Sequence, residues 1–93
     1  MAQLEASIEK YLTKRVAQAG GKQIKIELRA HWPDRLIAMP FHGLYLVETK
    51  KPKGGVLSTG QKMLHEELRL IGTLVRVIWT KQHVDDFIKE TAL

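Results

Sequence analysis

The 93 residues contain no cysteine, which excludes disulfides and every zinc site built on thiolates. The four histidines, His31, His42, His65 and His83, show neither HxxxH nor HExxH spacing, which argues against a histidine-built zinc site. No run approaches the ~18 apolar residues of a membrane span, and no signal-peptide apolar core opens the chain. The expectation is a protein without a membrane, in the cytoplasm. What the chain does have is positive charge, +5 net with a pI near 9.7. That balance favours a polyanionic partner, nucleic acid or an anionic membrane surface. With 44% hydrophobic and 27% charged residues it reads as a soluble globular protein. A second domain would be too small to form its own core, so residues 1–93 are expected to form one domain. Such a short chain has a marginal core, which makes self-association reasonable.

Hydrophobic periodicity divides the chain into seven elements. Leu4, Ile8, Tyr11, Leu12, Val16 and Ala19 recur at helical spacing over 2–19, and Gly20-Gly21 stops the run. From Gln23 to Leu28, Ile24, Ile26 and Leu28 alternate with polar residues, as in a half-buried strand. Asp34–Met39 is a short strand with Leu36 and Ile37 at its centre. Pro40 ends it, and His42-Gly43 turns the chain into a strand over Leu44–Thr49. Lys50–Gly55 (KKPKGG) reads as a basic, flexible loop. Ser58 with Gln61 forms a capping-box pattern for a helix reaching about Ile71, which buries Met63 (or Leu64), Leu68 and Ile71 before a Gly72 cap. Leu74–Trp79 is a further strand, and Thr80 caps a helix carrying Val84, Phe87 and Ile88. The order α-β-β-β-α-β-α has no repeat and no long linker. It defines an α/β fold, a mixed sheet flanked by helices.

Within this order, Asp34 opens one strand of the predicted hairpin while Glu48 and Lys50 close the other. The hairpin brings those ends together, and strand alternation sends Glu48 and Lys50 to one face. Two carboxylates and an ammonium therefore converge, an arrangement suited to phosphodiester hydrolysis. Asp34 and Glu48 can hold Mg2+ or Mn2+, hard cations that prefer oxygen ligands and polarise a phosphate. Lys50 can orient a water or offset growing negative charge. The plainer reading is that Pro-Asp is a common turn and Glu-x-Lys an ordinary solvated strand end.

Ordered motifs over nearly the whole length add to this. They are Glu5–Leu12 (EASIEKYL), Gly20-Gly21, Lys25, Pro33–Arg35 (PDR), Val47–Lys50 (VETK), Gly54-Gly55 and Ser58–Gln61 (STGQ). His65, Leu68, Gly72, Val75–Trp79 (VRVIW), Val84 and Phe87 continue the series. The chain resembles the virus-type replication-repair nuclease (VRR-NUC) domain of the PD-(D/E)XK superfamily. The resemblance implies a restriction-endonuclease-like αβββαβα core, with Asp34 and Glu48 as metal ligands and Lys50 as catalytic. It implies that the Thr49 main-chain carbonyl completes the metal shell and that Gln61 lines the site, beside its helix-capping role. It also implies a carboxylate from the first helix. Glu5 and Glu9 are both candidates, and Glu5 is favoured because it falls within the apolar arc, where a carboxylate needs a partner. The alternative for either is a solvated acidic first turn that suits the helix dipole. A stand-alone member of this kind looks phage-encoded, and would then act in host cytoplasm. It would be a homodimer cutting branched DNA, with the Holliday junction as substrate. Two departures stand out: Leu28–Trp32 (LRAHW) replaces a glycine-rich stretch, and Thr49 replaces a leucine.

Lys22, Lys25, Arg35, Lys51, Lys53 and Lys62 are candidate DNA-backbone contacts, against a reading as ordinary solubilising charge. Trp32 and Trp79 fit packing better than base stacking, and His65 fits the cleft lining or the helix surface. The rival functions are a flap, nick or duplex nuclease, a toxin or restriction-type nuclease, and a basic DNA-binding module that does not cut.

Overall fold

The computed structural model describes residues 5–92. Its first helix, α1 (Glu5–Gln18), packs Ile8, Leu12 and Val16 inward at the expected spacing; Leu4 and the rest of the predicted first turn lie outside the described residues. Three antiparallel strands follow, β1 (Lys22–Lys25), β2 (Arg35–Met39) and β3 (Gly43–Thr49). Helix α2 (Thr59–Leu70) crosses over to β4 (Val75–Ile78), which pairs parallel with β3, and α3 (Lys81–Thr91) closes the chain. The sheet order is β1-β2-β3-β4, so the αβββαβα succession and the mixed sheet expected from the sequence are both present. No helix among the described residues is long and apolar enough to cross a membrane.

Helices α1 and α3 cover one face of the sheet. Ile8, Leu12 and Val16 meet Ile37, Met39, Tyr45 and Val47 from the strands and Val84, Phe87 and Ile88 from α3 in one core. Tyr45 and Phe87 pack edge to face, with centroids 5.2 Å apart, as ring quadrupoles favour. Thr91, buried at the end of α3, donates its hydroxyl to the Phe87 carbonyl at 2.7 Å and so satisfies itself within its own helix.

The other face is only partly covered, and here the sequence expectations need correction. The alternation in 23–28 is real, but it does not mark a half-buried strand. β1 ends at Lys25, and Ile24 and Leu28 are 58% and 56% exposed. Helix α2 buries Leu68 and half-buries Leu64, the alternative to Met63, whereas Met63 and Ile71 are 61% and 79% exposed. The reason is that α2 lies over the β4 side of the sheet and offers it one narrow stripe. Gly72, at φ 91°, turns the chain out of the helix directly after the Ile71 cap.

The basic loop folds into a turn at Gly55. A Cβ at Gly55 would fall 2.2 Å from the Lys51 carbonyl oxygen, so the two backbones are in direct contact and only glycine fits. The Trp79 indole N–H donates to the Gly55 carbonyl at 2.9 Å and pins the turn to the end of β4. Trp79 therefore packs, as expected, and carries its polar atom to a partner.

Candidate active site

Antiparallel pairing sets Arg35 opposite Val47, so one step outward along both strands brings Asp34 beside Glu48. Asp34 is tied down by its carbonyl, which accepts from the Ile26 N–H at 2.8 Å. Lys50 is tied down by its N–H, which donates to the Ile78 carbonyl at 2.9 Å and extends the β3–β4 pairing past the last strand residue. Alternation then separates neighbouring side chains. Thr49 turns towards α1, where its hydroxyl donates to Glu9 Oε1 at 3.2 Å. Glu48 turns towards α2, where its Oε1 accepts from Gln61 Nε2 at 3.3 Å.

The two carboxylates are electrostatically frustrated. Glu48, only 6% exposed, has its pKa pushed up to about 7. Burial is the main cause and the Asp34 charge the next; Lys50 opposes and Glu5 adds to it. Asp34 is also raised, by burial first; Arg35 and the Thr49 amide oppose that shift and Glu9 reinforces it. Its Oδ1 is buried without any hydrogen-bond partner. An orphaned carboxylate oxygen beside a second buried carboxylate is what a divalent cation would satisfy, and the oxygen donor set suits Mg2+ or Mn2+. Among the described residues no group of three His, Cys, Asp or Glu side chains gathers closely enough to hold a metal alone. Asp34 and Glu48 would therefore share such an ion with other oxygens.

Glu5 and Glu9 play different parts. Glu9 is engaged, its Oε2 3.1 Å from Arg35 and its Oε1 on Thr49. Glu5 makes no hydrogen bond or ion pair among the described residues, and its charge reaches Glu48. Arg35 corrects an expectation. It is 7% exposed and turned inward, held by Glu9 and at 3.4 Å by Gln23 Oε1. A guanidinium so enclosed braces α1 against β2 and has no surface left for a DNA phosphate. Lys22 is exposed but pairs with Ala38 at the end of β1 away from Asp34; Lys25, opposite Arg35, lies at the near end. Lys51, Lys53 and Lys62 are exposed on the Gly55 turn and the first turns of α2.

Gln61 caps its helix and also reaches Glu48. Its backbone N–H donates to Ser58 Oγ at 3.1 Å and its Oε1 accepts from the Ser58 N–H at 2.9 Å, a complete capping box, while its amide nitrogen reaches Glu48. One turn further on, His65 is fully buried, not on the helix surface, and neither ring nitrogen has a partner. Burial chiefly lowers its pKa, and the Arg69 and Lys50 charges act the same way. The spacing Gln61–His65–Leu68 on one helix stripe was the available signal for this residue. His31 was also missed. Its backbone is left-handed, at φ 74°, and its ring sits where a Cβ on Gly60 would fall, 2.6 Å from two ring atoms. The loop before Asp34 is thereby seated on the first turn of α2.

A buried carboxylate pair at the end of a hairpin, with a lysine beside it, on a mixed sheet flanked by helices, defines the PD-(D/E)XK nuclease type. A solved structure described as a VRR_NUC domain shares 30% sequence identity with this chain and superimposes with a TM-score of 0.83. The match covers 91% of this chain and 94% of that one. The chain belongs to the VRR-NUC domain family. No family model and no curated protein sequence matches it. Nuclease domains of the PD-(D/E)XK type generally use divalent metals.

Proposed function

We propose that residues 1–93 form a single nuclease domain that hydrolyses DNA phosphodiester bonds with Mg2+ or Mn2+, acting on branched DNA such as the Holliday junction. The observation that carries this reading is the orphaned Asp34 Oδ1 next to Glu48, whose pKa burial pushes up to about 7, with Lys50 beside them. Asp34, Glu48 and the Thr49 carbonyl would hold the ion, with Glu5 the first-helix carboxylate free to approach it. When bound, the ion supplies Lewis-acid charge to the scissile phosphate and makes water a better nucleophile at neutral pH. Lys50 directs the attacking water and offsets charge that develops on the phosphate. Gln61 orients Glu48, and Arg35 holds Glu9 and α1 in place. Lys25, Lys51, Lys53 and Lys62 would meet backbone phosphates without reading bases.

The working unit in this reading is a homodimer in the cytoplasm, or the host cytoplasm if the chain is phage-encoded. Ile24, Leu36, Ala38 and Leu44 line a shallow apolar depression of about 190 Å³ on the sheet face that α2 leaves open. A second copy seated there would bury these side chains and set two sites about a two-fold axis, matching a symmetric four-way junction.

The test is cleavage of an immobile four-way junction beside a matched duplex, with Mg2+, Mn2+ or EDTA, for wild type, Lys50→Ala and Asp34→Ala. Paired, metal-dependent cuts in the junction that both variants lose are expected. Equal cutting of the duplex sinks the junction preference, and tight binding with no cutting under either metal sinks the nuclease reading.

A further inference from the structure

His65 is 0% exposed on the stripe of α2 that meets the sheet, and among the described residues neither ring nitrogen has a partner. A buried polar atom left unpaired costs about 1–3 kcal/mol. An apolar side chain such as Leu68, which follows on the same stripe, would fill the slot without that cost. Packing alone does not account for an imidazole there. Its position joins it to the site. Gln61, one turn earlier, donates its side-chain amide to Glu48 Oε1 at 3.3 Å, so this stripe lies over the end of β3. Lys50 follows two residues after Glu48, and its N–H on the Ile78 carbonyl carries the pairing with β4 that far. Alternation then turns the Lys50 side chain to the α2 side, with Glu48. The Lys50 ammonium makes no hydrogen bond or ion pair among the described residues, and its charge reaches both Glu48 and His65. Arg69, the other cation whose charge reaches the ring, is directed to the Val75 carbonyl, 3.4 Å from one guanidinium nitrogen. Burial and these two cations keep the ring neutral. A neutral imidazole carries one N–H and one bare lone pair, whereas an ammonium has donors only. On one side of the sheet, then, a lysine lacks an acceptor and a buried ring lacks a donor.

We infer that His65 is the positioning residue of Lys50: its unprotonated ring nitrogen accepts from the Lys50 ammonium and so sets where that ammonium meets the attacking water. The inference rests on the nuclease reading for the water, and on the buried ring and the shared sheet face for the contact. The ring is fixed by burial, so the movement that makes the bond is a change of rotamer in the flexible four-carbon stem of the lysine. A lysine without such an anchor samples several rotamers, and few of them direct its charge at the reacting phosphate. Helix α2 thus serves both members of the Glu48–Lys50 pair, Gln61 holding the carboxyl and His65, one turn on, holding the ammonium.

The experiment is a double-mutant cycle in the full chain, with wild type, His65→Leu, Lys50→Ala and the two together, and with His65→Gln as the restoring variant. His65→Leu should lower kcat on the four-way junction by about tenfold to a hundredfold, the scale of a misplaced catalytic group. KM and the metal-induced rise in melting temperature should not change, because the ring contacts neither DNA nor the ion. In the Lys50→Ala background the same change should cost almost nothing, since the group it positions is gone. His65→Gln, whose amide oxygen can accept, should recover most of the lost rate; a role in packing alone predicts the reverse order, with Leu the better filler. Nitrogen-15 NMR of the imidazole, in the chain without metal or DNA, supplies a second readout. The signal of the unprotonated His65 nitrogen should move when Lys50 becomes Ala. Full kcat in His65→Leu, or equal losses in the two backgrounds, would overturn the positioning role. Where Lys50→Ala leaves no measurable cleavage, the ring signal decides, and an unmoved signal overturns the pairing. If the wild type cut no DNA with either metal, the nuclease reading would fall, whereas the ring signal would still show whether His65 and Lys50 are bonded.

Discussion

The sheet has one face closed by α1 and α3 over a continuous apolar core, and another that α2 covers only in part. On the closed face the inward side chains pack into one core, and Arg35 and Thr49 both end on Glu9, although the Arg35 Nε and the Gln23 Nε2 lack partners there. On the open face lie the Asp34 Oδ1, without a partner, Glu48, whose pKa is pushed up to about 7 and which accepts from Gln61, and His65 with two unbonded nitrogens. Stability and chemistry are therefore separated across a single layer of strands. The closed face carries the core, while the two carboxylates that a cation could join lie on the other. In the proposed nuclease a divalent cation would complete the unpartnered Asp34 oxygen.

This contrast can be tested by substitutions on each side. The largest effect belongs to the open face: Asp34→Asn should reduce cleavage by about a hundredfold or more, on the scale of losing a transition-state charge partner. The same change should abolish the metal-induced rise in melting temperature and leave the far-ultraviolet circular dichroism intact. On the closed face, Leu12→Ala should cost about 2–5 kcal/mol of stability by denaturant titration, through lost burial and a cavity. Its metal response per folded molecule should persist. If Leu12→Ala and Asp34→Asn proved alike in either assay, the separation would be wrong.

Gln61 stands where the two functions meet and gives smaller effects. Gln61→Ala keeps the Ser58 cap but loses the reciprocal bond to the Ser58 N–H and should cost about 0.5–1 kcal/mol as well as some cleavage. Gln61→Glu keeps a capping-box residue but sets a third negative charge against Glu48, so cleavage should fall while stability is retained. The smallest effect is a pH dependence. His65 is held neutral below its ordinary pKa of 6.5, so the unfolded chain binds a proton that the folded chain refuses. Its contribution is fully present above about pH 6.5 and is lost as the pH falls. Thermal melts of wild type and His65→Leu from pH 8 to pH 5 should show the wild type losing ground at the acid end. Parallel curves would mean that the ring is not kept neutral.

Much of this was legible in the chain itself, for reasons that differ by element. The capping box, the hairpin and the core stripes of α1 and α3 could be read because each depends on neighbours in sequence. The Asp34, Glu48 and Lys50 constellation was legible because a hairpin with two-residue alternation fixes where its ends point. The inward turn of Arg35 was not, since its partner Glu9 belongs to another element and a lone arginine beside Pro-Asp looks like surface charge. Met63 and Ile71 misled because their helical spacing is sound; only the lateral position of α2 over β4 leaves them open. The division of labour between Glu5 and Glu9 likewise needed the third dimension.

The seat of His31 on Gly60 has a mechanical consequence. The loop that delivers Asp34 and the helix that delivers Gln61 to Glu48 meet through the His31 ring against the Gly60 backbone. A displacement of either is handed directly to the other. Strand loop and helix start should therefore move as one jaw, so that a DNA strand pressing on the Leu28–Trp32 loop would reposition the Glu48 carboxylate. In the proposed nuclease a substrate's shape would then be sensed at Glu48 by leverage, without any base being read.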